Sequence, residues 1–194
     1  MDSNLKNLLD ELEAFGQSND RAVKERPGRM LNITRDTGEF LSVLVRIMGA
    51  RRILEIGTSN GYSTLWLAEA ARKVGGTVAT VEMSRVKIDM AQANFARSGL
   101  AGSIRQIEGD AGSVLRATGA DAYDLVFLDS ERSEYVGWWP DLRRVLRPGG
   151  LLVVDNATSH KEEMAAFIQT VRADASFSTS LVPVGNGEFL ATKA

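Results

Sequence analysis

Hydrophobic positions along the chain follow two periods, one typical of helices and the other of buried strands. Leu5 to Phe15 carries apolar residues at helical spacing and is predicted to be a helix that ends at Gly16. Gln17 to Arg29 is polar and charged, and it is predicted to be a covering loop. Thr37 to Met48 shows the helical spacing again, and Gly49 ends it. The N-terminal part is therefore predicted to be helical, with one loop.

Short apolar runs alternate with helical periods through the rest of the chain. The predicted strands are Ile53–Ile56, Thr77–Glu82, Ser103–Glu108, Tyr123–Leu128 and Leu151–Val154. The predicted helices are Tyr62–Lys73, Val86–Ser98, Gly112–Thr118, Glu134–Leu146 and Lys161–Ala173. This alternation favours a parallel, doubly wound sheet with helices on both faces.

Two further apolar runs close the chain, Phe177–Val182 and Phe189–Ala191, and Gly185-Asn186-Gly187 lies between them. An Asn-Gly pair between apolar runs is a hairpin signal. The predicted fold is therefore α/β, a Rossmann-like doubly wound sheet of about seven strands with N-terminal helices. About five strands are parallel, and the C-terminal hairpin is antiparallel. One domain is expected over residues 1–194, with the N-terminal helix and covering loop in 1–35 and the core in 36–194.

Composition removes several classes of function. The 194 residues carry 23 Lys and Arg against 25 Asp and Glu, so no basic field favours nucleic acid. There is no cysteine, which excludes disulfides and thiolate chemistry. No apolar run approaches the roughly 20 residues of a membrane span. The first residues do not resemble a signal peptide, so a cytoplasmic protein is expected.

The stretch that organises the chain is the strand Ile53–Ile56 followed by Gly57-Thr58-Ser59-Asn60-Gly61 and a helix. Glycine permits positive φ and close approach of a ligand, and a helix start offers free N–H groups. The turn lacks the Gly-x-Gly-x-x-Gly spacing of dinucleotide sites and the Gly-Lys-Ser/Thr of a P-loop. Glu55 beside it would repel a pyrophosphate but attract a cation. S-adenosylmethionine, an adenosyl group with a positively charged tail, fits this pattern.

Acidic residues recur at the carboxyl end of every predicted parallel strand, where an open sheet binds its ligand. Glu82, with Met83 after it, is placed to accept hydrogen bonds from ribose hydroxyls. Asp110 and Ala111 follow the third strand and Asp129 the fourth. Such residues also cap helices, and for Asp110 capping and ligand binding are equally good interpretations.

These segments together resemble a known family. The stretches EIGTSNGYS, VATVEMS, IEGDA and VFLDSERSEY are similar to motifs of class I S-adenosylmethionine-dependent methyltransferases, within them the catechol and caffeoyl-coenzyme A O-methyltransferase group. The resemblance covers Asn32 to the C-terminus. It implies a cofactor site in which the methionine part lies near Glu55, Gly57, Thr58 and Ser63, the ribose on Glu82, and the adenine beside Asp110 and Ala111. Gly61, Met83 and Asp129 complete the candidate cofactor contacts.

The same resemblance implies a metal site at Asp129, Asp155 and Asn156. All three are hard oxygen donors of the kind that magnesium prefers. In the family such a metal chelates two neighbouring oxygens of the acceptor and lowers the pKa of one hydroxyl. The alternative is structural, because Asp-Asn after a strand is a common start of a turn.

One position departs from the family pattern. The family has Asp-Ala-Asp-Lys, with the Lys as general base, where this chain has Asp129-Ser130-Glu131-Arg132. Arginine stays protonated and cannot act as a base, although it can stabilise a phenolate. His160 is the only histidine, and it follows the fifth strand. Arg132 and His160 are therefore the candidate catalytic residues, with a helix-start role as the alternative for His160.

The prediction is an S-adenosylmethionine-dependent O-methyltransferase that acts on a small catechol-like acceptor with a divalent metal, magnesium being expected. The alternatives are a metal-independent methyltransferase with another acceptor, a non-catalytic S-adenosylmethionine-binding protein and, weakest, a nicotinamide dehydrogenase. No nucleic-acid or membrane partner is expected. Trp138 and Trp139 are adjacent on a predicted helix, so one is expected to pack inward and the other to line an acceptor pocket or a subunit contact. A homodimer is therefore a possible assembly of the chain.

Overall fold

The computed structural model describes all 194 residues and contains one seven-stranded sheet. Its strands are β1 Arg52–Ile56, β2 Thr77–Glu82, β3 Ile104–Glu108, β4 Tyr123–Leu128, β5 Leu146–Val154, β6 Phe177–Val182 and β7 Glu188–Lys193. The strand order is β3-β2-β1-β4-β5-β7-β6. The first five in this order are parallel, and β7 runs antiparallel to both β5 and β6. The predicted fold class is confirmed.

Seven α-helices cover the sheet. They are α1 Ser3–Ala22, α2 Arg35–Met48, α3 Tyr62–Lys73, α4 Arg85–Ser98, α5 Ala111–Ala117, α6 Tyr135–Val145 and α7 Lys161–Arg172. Successive residues of β4 enter different cores, since Phe127 packs with α1 to α4 while Val126 packs with α5 to α7. This alternation is the two-residue period of a strand that is covered on both faces. None of the helices is long and apolar enough to cross a membrane.

The prediction that the first helix ends at Gly16 is wrong, because α1 continues to Ala22. Gly16 is buried, and a Cβ there would lie 2.5 Å from the side-chain nitrogen of Asn32. That nitrogen donates to the carbonyl of Leu12, so the glycine makes room for a cross-link between α1 and the chain before α2. The predicted loop is correspondingly shorter and contains one 3-10 turn, Arg26–Gly28.

Two strands near the C-terminus are longer than predicted. β5 begins at Leu146 and therefore includes Pro148-Gly149-Gly150, which was predicted to lie outside it. β7 begins at Glu188 rather than Phe189, so an acidic residue occupies its first position. Both extensions place polar or glycine residues inside a strand, where the hydrophobic pattern gives no signal.

Candidate functional site

One large cavity opens at the carboxyl ends of the parallel strands, as expected for an open α/β sheet. Its volume is about 1000 Å³, and segments from the glycine turn, the chain before α2 and the loops after β4 and β5 surround it. Predicted site residues that line it are Gly57, Thr58, Ser63, Glu82, Met83, Asp110, Ala111, Asp129, Arg132, Asp155, Asn156 and His160. Glu55 and Gly61 do not line it.

The glycines of the turn are required by packing within the protein. Gly57 has φ +106°, and a Cβ on it would collide with the backbone carbonyl of Asp129 at the end of β4. Gly61 has φ +88°, and a Cβ on this residue would lie 2.5 Å from the ring of Phe95. The turn therefore lies directly on the neighbouring strand end and on α4, which holds it at the edge of the cavity.

Glu55 lies beneath the turn rather than in the cavity. Its side chain is fully buried and accepts hydrogen bonds from the hydroxyls of Ser63, Thr64 and Thr80, the first and last at 2.6 Å. Burial raises the pKa of Glu55 to about 7. The Thr80 hydroxyl also lies 2.6 Å from that of Thr58. Glu55 thus contacts the cavity wall through Thr58 and Ser63.

Glu82 is fixed at the end of β2 by three backbone donors. Oε2 accepts from the N–H of Ser59 at 3.0 Å, and Oε1 accepts from the N–H groups of Met83 and Ser84 at 3.0 and 2.9 Å. A carboxylate offers about four lone pairs. Three are occupied here, and one is left to face a ligand.

The segment before α2 is fastened over the glycine turn. The hydroxyl of Ser59 donates to the carbonyl of Met30 at 2.7 Å. Asp20 of α1 accepts from the backbone N–H groups of Met30 and Leu31 at 2.7 and 2.8 Å. Arg26 and Arg29 of this segment also line the cavity. The segment therefore forms one wall of the site, as predicted for a covering element.

Asp110 caps the N-terminus of α5, which is the first of the two roles predicted for it. Its Oδ1 accepts from the N–H and the hydroxyl of Ser113, both at 2.8 Å, and these bonds lower the pKa of Asp110. Asp110 and Ala111 line the cavity together with Trp138. Trp139 is buried in the core, as predicted for one of the two tryptophans, while Trp138 lines the cavity beside Asp110 and the start of α5.

Asp129, Asp155 and Asn156 meet at the ends of β4 and β5. The side-chain nitrogen of Asn156 donates to Asp129 Oδ1 and to Asp155 Oδ2, both at 3.1 Å. Burial and the neighbouring Asp155 raise the pKa of Asp129, and burial raises the pKa of Asp155. Neither carboxyl is in a salt bridge, and Arg132, which also lines the cavity, pairs with Glu163 instead.

Glu188 is a further acidic residue beside this cluster, and the sequence analysis did not identify it. It is fully buried at the start of β7, where burial and the charge of Asp155 raise its pKa. The signal that would have found it is an acid directly after Gly185-Asn186-Gly187, at the hairpin end nearest β5.

Arg132 and His160 line the same cavity as Asp129 and Asp155. The Arg132 side chain is only 9% exposed, and its Nε donates to Glu163 at 2.8 Å. The Nδ1 atom of His160 lies 2.9 Å from the Ser159 hydroxyl. A fixed guanidinium and an imidazole thus share the cavity with the carboxylate cluster.

The fold and the site together define a Rossmann-like α/β protein with a nucleotide-type pocket beside a carboxylate cluster. The family model described as O-methyltransferase matches residues 3–194. The chain therefore belongs to the O-methyltransferase family.

Two curated relatives carry the name catechol O-methyltransferase. The one from Niastella koreensis is 34% identical over 129 residues, which are 65% of this chain and 58% of that protein. The one from Mycobacterium tuberculosis is 36% identical over 124 residues, 64% of this chain and 56% of that protein. The matched segments thus span less than two thirds of either relative. A solved O-methyltransferase from Bacillus cereus in complex with SAH has a TM-score of 0.78 and 25% identity, over 100% of this chain and 92% of that one.

Proposed function

We propose that the protein is an S-adenosylmethionine-dependent O-methyltransferase whose acceptor is a small hydroxylated, catechol-like molecule and which uses a divalent cation, magnesium being expected. One observation supports this most directly. A single cavity contains both the glycine turn with Glu82 and the cluster of Asp129, Asp155 and Asn156. Donor and acceptor would therefore meet inside one cavity, as a direct methyl transfer requires.

The donor is assigned to the end of the cavity formed by β1 and β2. Glu82 has one free lone pair for a ribose hydroxyl, while Thr58 and Ser63 offer hydroxyls near the methionine part. Asp110 and Ala111 are placed for the adenine, with the exposed side chain of Met83 close by. The negative charge of this end favours a sulfonium over a pyrophosphate.

The residues at the other end fit a hard divalent cation. Asp129, Asp155 and Asn156 each carry an oxygen donor of the kind that a hard cation takes. The amide nitrogen of Asn156 faces both carboxylates, and its oxygen accepts from the Ser159 hydroxyl at 3.2 Å. The two carboxylates would therefore hold the cation, and the amide would rotate to join them. No group of three or more His, Cys, Asp or Glu side chains is arranged as a ligand set, so the third protein ligand would be Asn156. When bound, such a cation supplies Lewis-acid activation of a coordinated hydroxyl.

Arg132 and His160 are assigned to the acceptor oxygen. The guanidinium of Arg132 remains charged and stabilises negative charge on that oxygen as its proton leaves. His160 is the side chain on this wall that would accept the proton. The acceptor oxygen then forms a bond to the methyl carbon while the carbon–sulfur bond breaks and its electron pair stays on sulfur. No enzyme nucleophile takes part.

An acceptor screen tests the proposal. Catechols and hydroxylated aromatic acids are incubated with S-adenosylmethionine and magnesium, and parallel reactions contain a chelator. The expected result is O-methylated product that disappears with chelator and returns with excess magnesium. Turnover that survives the chelator would refute the metal-dependent reaction and favour a metal-independent methyltransferase. Binding of the donor without turnover of any acceptor would favour a non-catalytic role.

A further inference from the structure

Glu188 occupies the position on β7 that faces the cation site. β5 and β7 are antiparallel, with Val154 opposite Phe189. One step along this register brings Asp155 opposite Glu188. The side chain of Glu188 is 0% exposed, so it reaches Asp155 within the protein and not through solvent.

The two oxygens of Glu188 have different surroundings. Oε1 accepts from the hydroxyl of Thr37, a buried residue in the first turn of α2, at 3.0 Å. Oε2 is buried and has no donor. Asp155 is the register neighbour of Glu188 across β5 and β7, and the two carboxyl groups lie within hydrogen-bonding reach of each other. A buried carboxyl oxygen with no partner is costly, and a hydrogen bond between the two carboxyls removes that cost.

The hairpin that carries Glu188 also holds the loop after the cation site. The N–H of Ala157 donates to the carbonyl of Gly187 at 2.9 Å, and the N–H of Thr158 donates to the carbonyl of Asn186 at 3.0 Å. A Cβ on Gly187 would collide with Thr158, so the hairpin and the loop are in close contact. The two residues before Glu188 are therefore hydrogen-bonded to the backbone that directly follows Asp155 and Asn156.

We propose that Glu188 is a positioning residue for the divalent cation, holding the carboxyl of Asp155 towards Asp129 and Asn156 by a carboxyl–carboxylate hydrogen bond. The inference rests on the proposed function, in which those three residues bind the cation. Glu188 is not itself a ligand, since it does not line the cavity. Thr37 donates a hydrogen bond to Oε1 of Glu188, and the Glu188 carboxyl in turn holds Asp155. Residues of α2 and β7 therefore set the geometry of the site together.

Cation affinity in the absence of donor and acceptor tests the inference. Mn²⁺ binding is measured by electron paramagnetic resonance and calorimetry for the wild type and for Glu188→Leu, Glu188→Gln and Glu162→Gln. Removing a residue that orients a ligand typically weakens metal binding about 10- to 100-fold, and this is the loss expected for Glu188→Leu. Glu188→Gln keeps an acceptor for Thr37 and a donor for Asp155, so it is expected to retain affinity within about threefold. Glu162→Gln removes an exposed acid on α7 and is the control.

Each result supports or overturns the inference. Wild-type affinity in Glu188→Leu overturns it, and so does an equal loss in Glu188→Leu and Glu188→Gln. Asp155→Asn is measured in parallel, because undiminished binding by that variant, or no binding by the wild type, refutes the cation site of the proposed function as well. Far-UV circular dichroism checks folding. If Glu188→Leu does not fold, Thr37→Val decides, with weaker Mn²⁺ binding supporting the inference and unchanged binding overturning it.

Discussion

The backbone N–H of Ser59 donates to Oε2 of Glu82 at 3.0 Å, and this bond joins the glycine turn after β1 to the end of β2. The orientation of the carboxylate is therefore set before any ligand arrives. Preorganisation of this kind lowers the entropic cost of binding. The end of the cavity assigned to the donor is thus a rigid surface.

The first prediction concerns this carboxylate. Glu82→Gln puts an amide nitrogen where a carboxylate oxygen now accepts backbone N–H groups, and it also weakens any bond to a ribose hydroxyl. Hydrogen bonds to charged groups contribute about 1.5–3 kcal/mol, so the Kd for S-adenosylhomocysteine should rise about tenfold or more. Calorimetry measures this Kd. Glu108→Gln, at the exposed register partner on β3, is the control, and equal affinities in both variants would contradict the donor assignment.

The second prediction concerns Arg132. Arg132→Met removes the guanidinium from the acceptor wall and should lower kcat about 10- to 100-fold, because the negative charge on the acceptor oxygen loses its stabilisation. The affinity for S-adenosylhomocysteine should stay unchanged. Glu163→Gln removes the ion-pair partner of Arg132 but leaves the guanidinium charge in place. This variant should therefore lower kcat much less than Arg132→Met does. A loss of donor affinity equal to the loss of kcat would indicate a purely structural role for Arg132.

The third prediction concerns His160. His160→Ala should lower kcat about 100-fold and remove one ionisation from the pH–rate profile, as expected for loss of a general base. Ser159→Ala removes the contact to Nδ1 and leaves the imidazole, so the profile should keep its shape. An unchanged profile and rate in His160→Ala would exclude the residue from the mechanism.

The fourth prediction concerns pH and stability. The pKa of Glu55 rises from 4.5 to about 7 on folding. The folded state therefore holds this proton more tightly than the unfolded state does, and stability falls as pH rises from about 4.5 to about 7. The shift corresponds to about 3 kcal/mol. Glu55→Gln should lose this dependence, which urea unfolding at pH 5 and pH 8 measures. An equal change in wild type and variant would show that Glu55 does not titrate as proposed.

The fifth prediction compares two helical glycines. Gly16→Ala places a methyl group 2.5 Å from Asn32 and should destabilise the protein by about 1–2 kcal/mol, despite the better helix propensity of alanine. Gly137→Ala in α6 meets nothing within 4 Å and should stabilise by about 0.5–1 kcal/mol. Thermal unfolding distinguishes the two. A stabilised Gly16→Ala variant would show that Asn32 moves aside at little cost.

The sheet was predictable because its signal is local. The central strands β1 and β4 are short apolar runs between polar boundaries, and the hairpin carries Asn186-Gly187 between two further runs. The end of α1 was not predictable, because Gly16 contacts Asn32, which is distant in sequence. A glycine that ends a helix and a glycine that makes room within one look the same in the sequence.

The candidate site was predictable in outline, since the residue after each parallel strand lies at one edge of the sheet. The direction of each side chain at that edge was not predictable. Glu82 is the last residue of β2, whereas Glu55 lies one residue before the end of β1 and points under the turn, where three hydroxyls bind it. Glu188 was missed because it enters from an antiparallel strand, to which the rule for parallel strands does not apply.

Gly57 has a consequence for engineering the pocket. Its missing side chain lets the turn lie against the carbonyl of Asp129, so the end assigned to the donor and the end assigned to the acceptor share a backbone contact. A single methyl group at position 57 would push both ends apart together. Directed evolution of acceptor range can therefore diversify the mouth of the pocket, but a library that varies position 57 will consist largely of inactive clones.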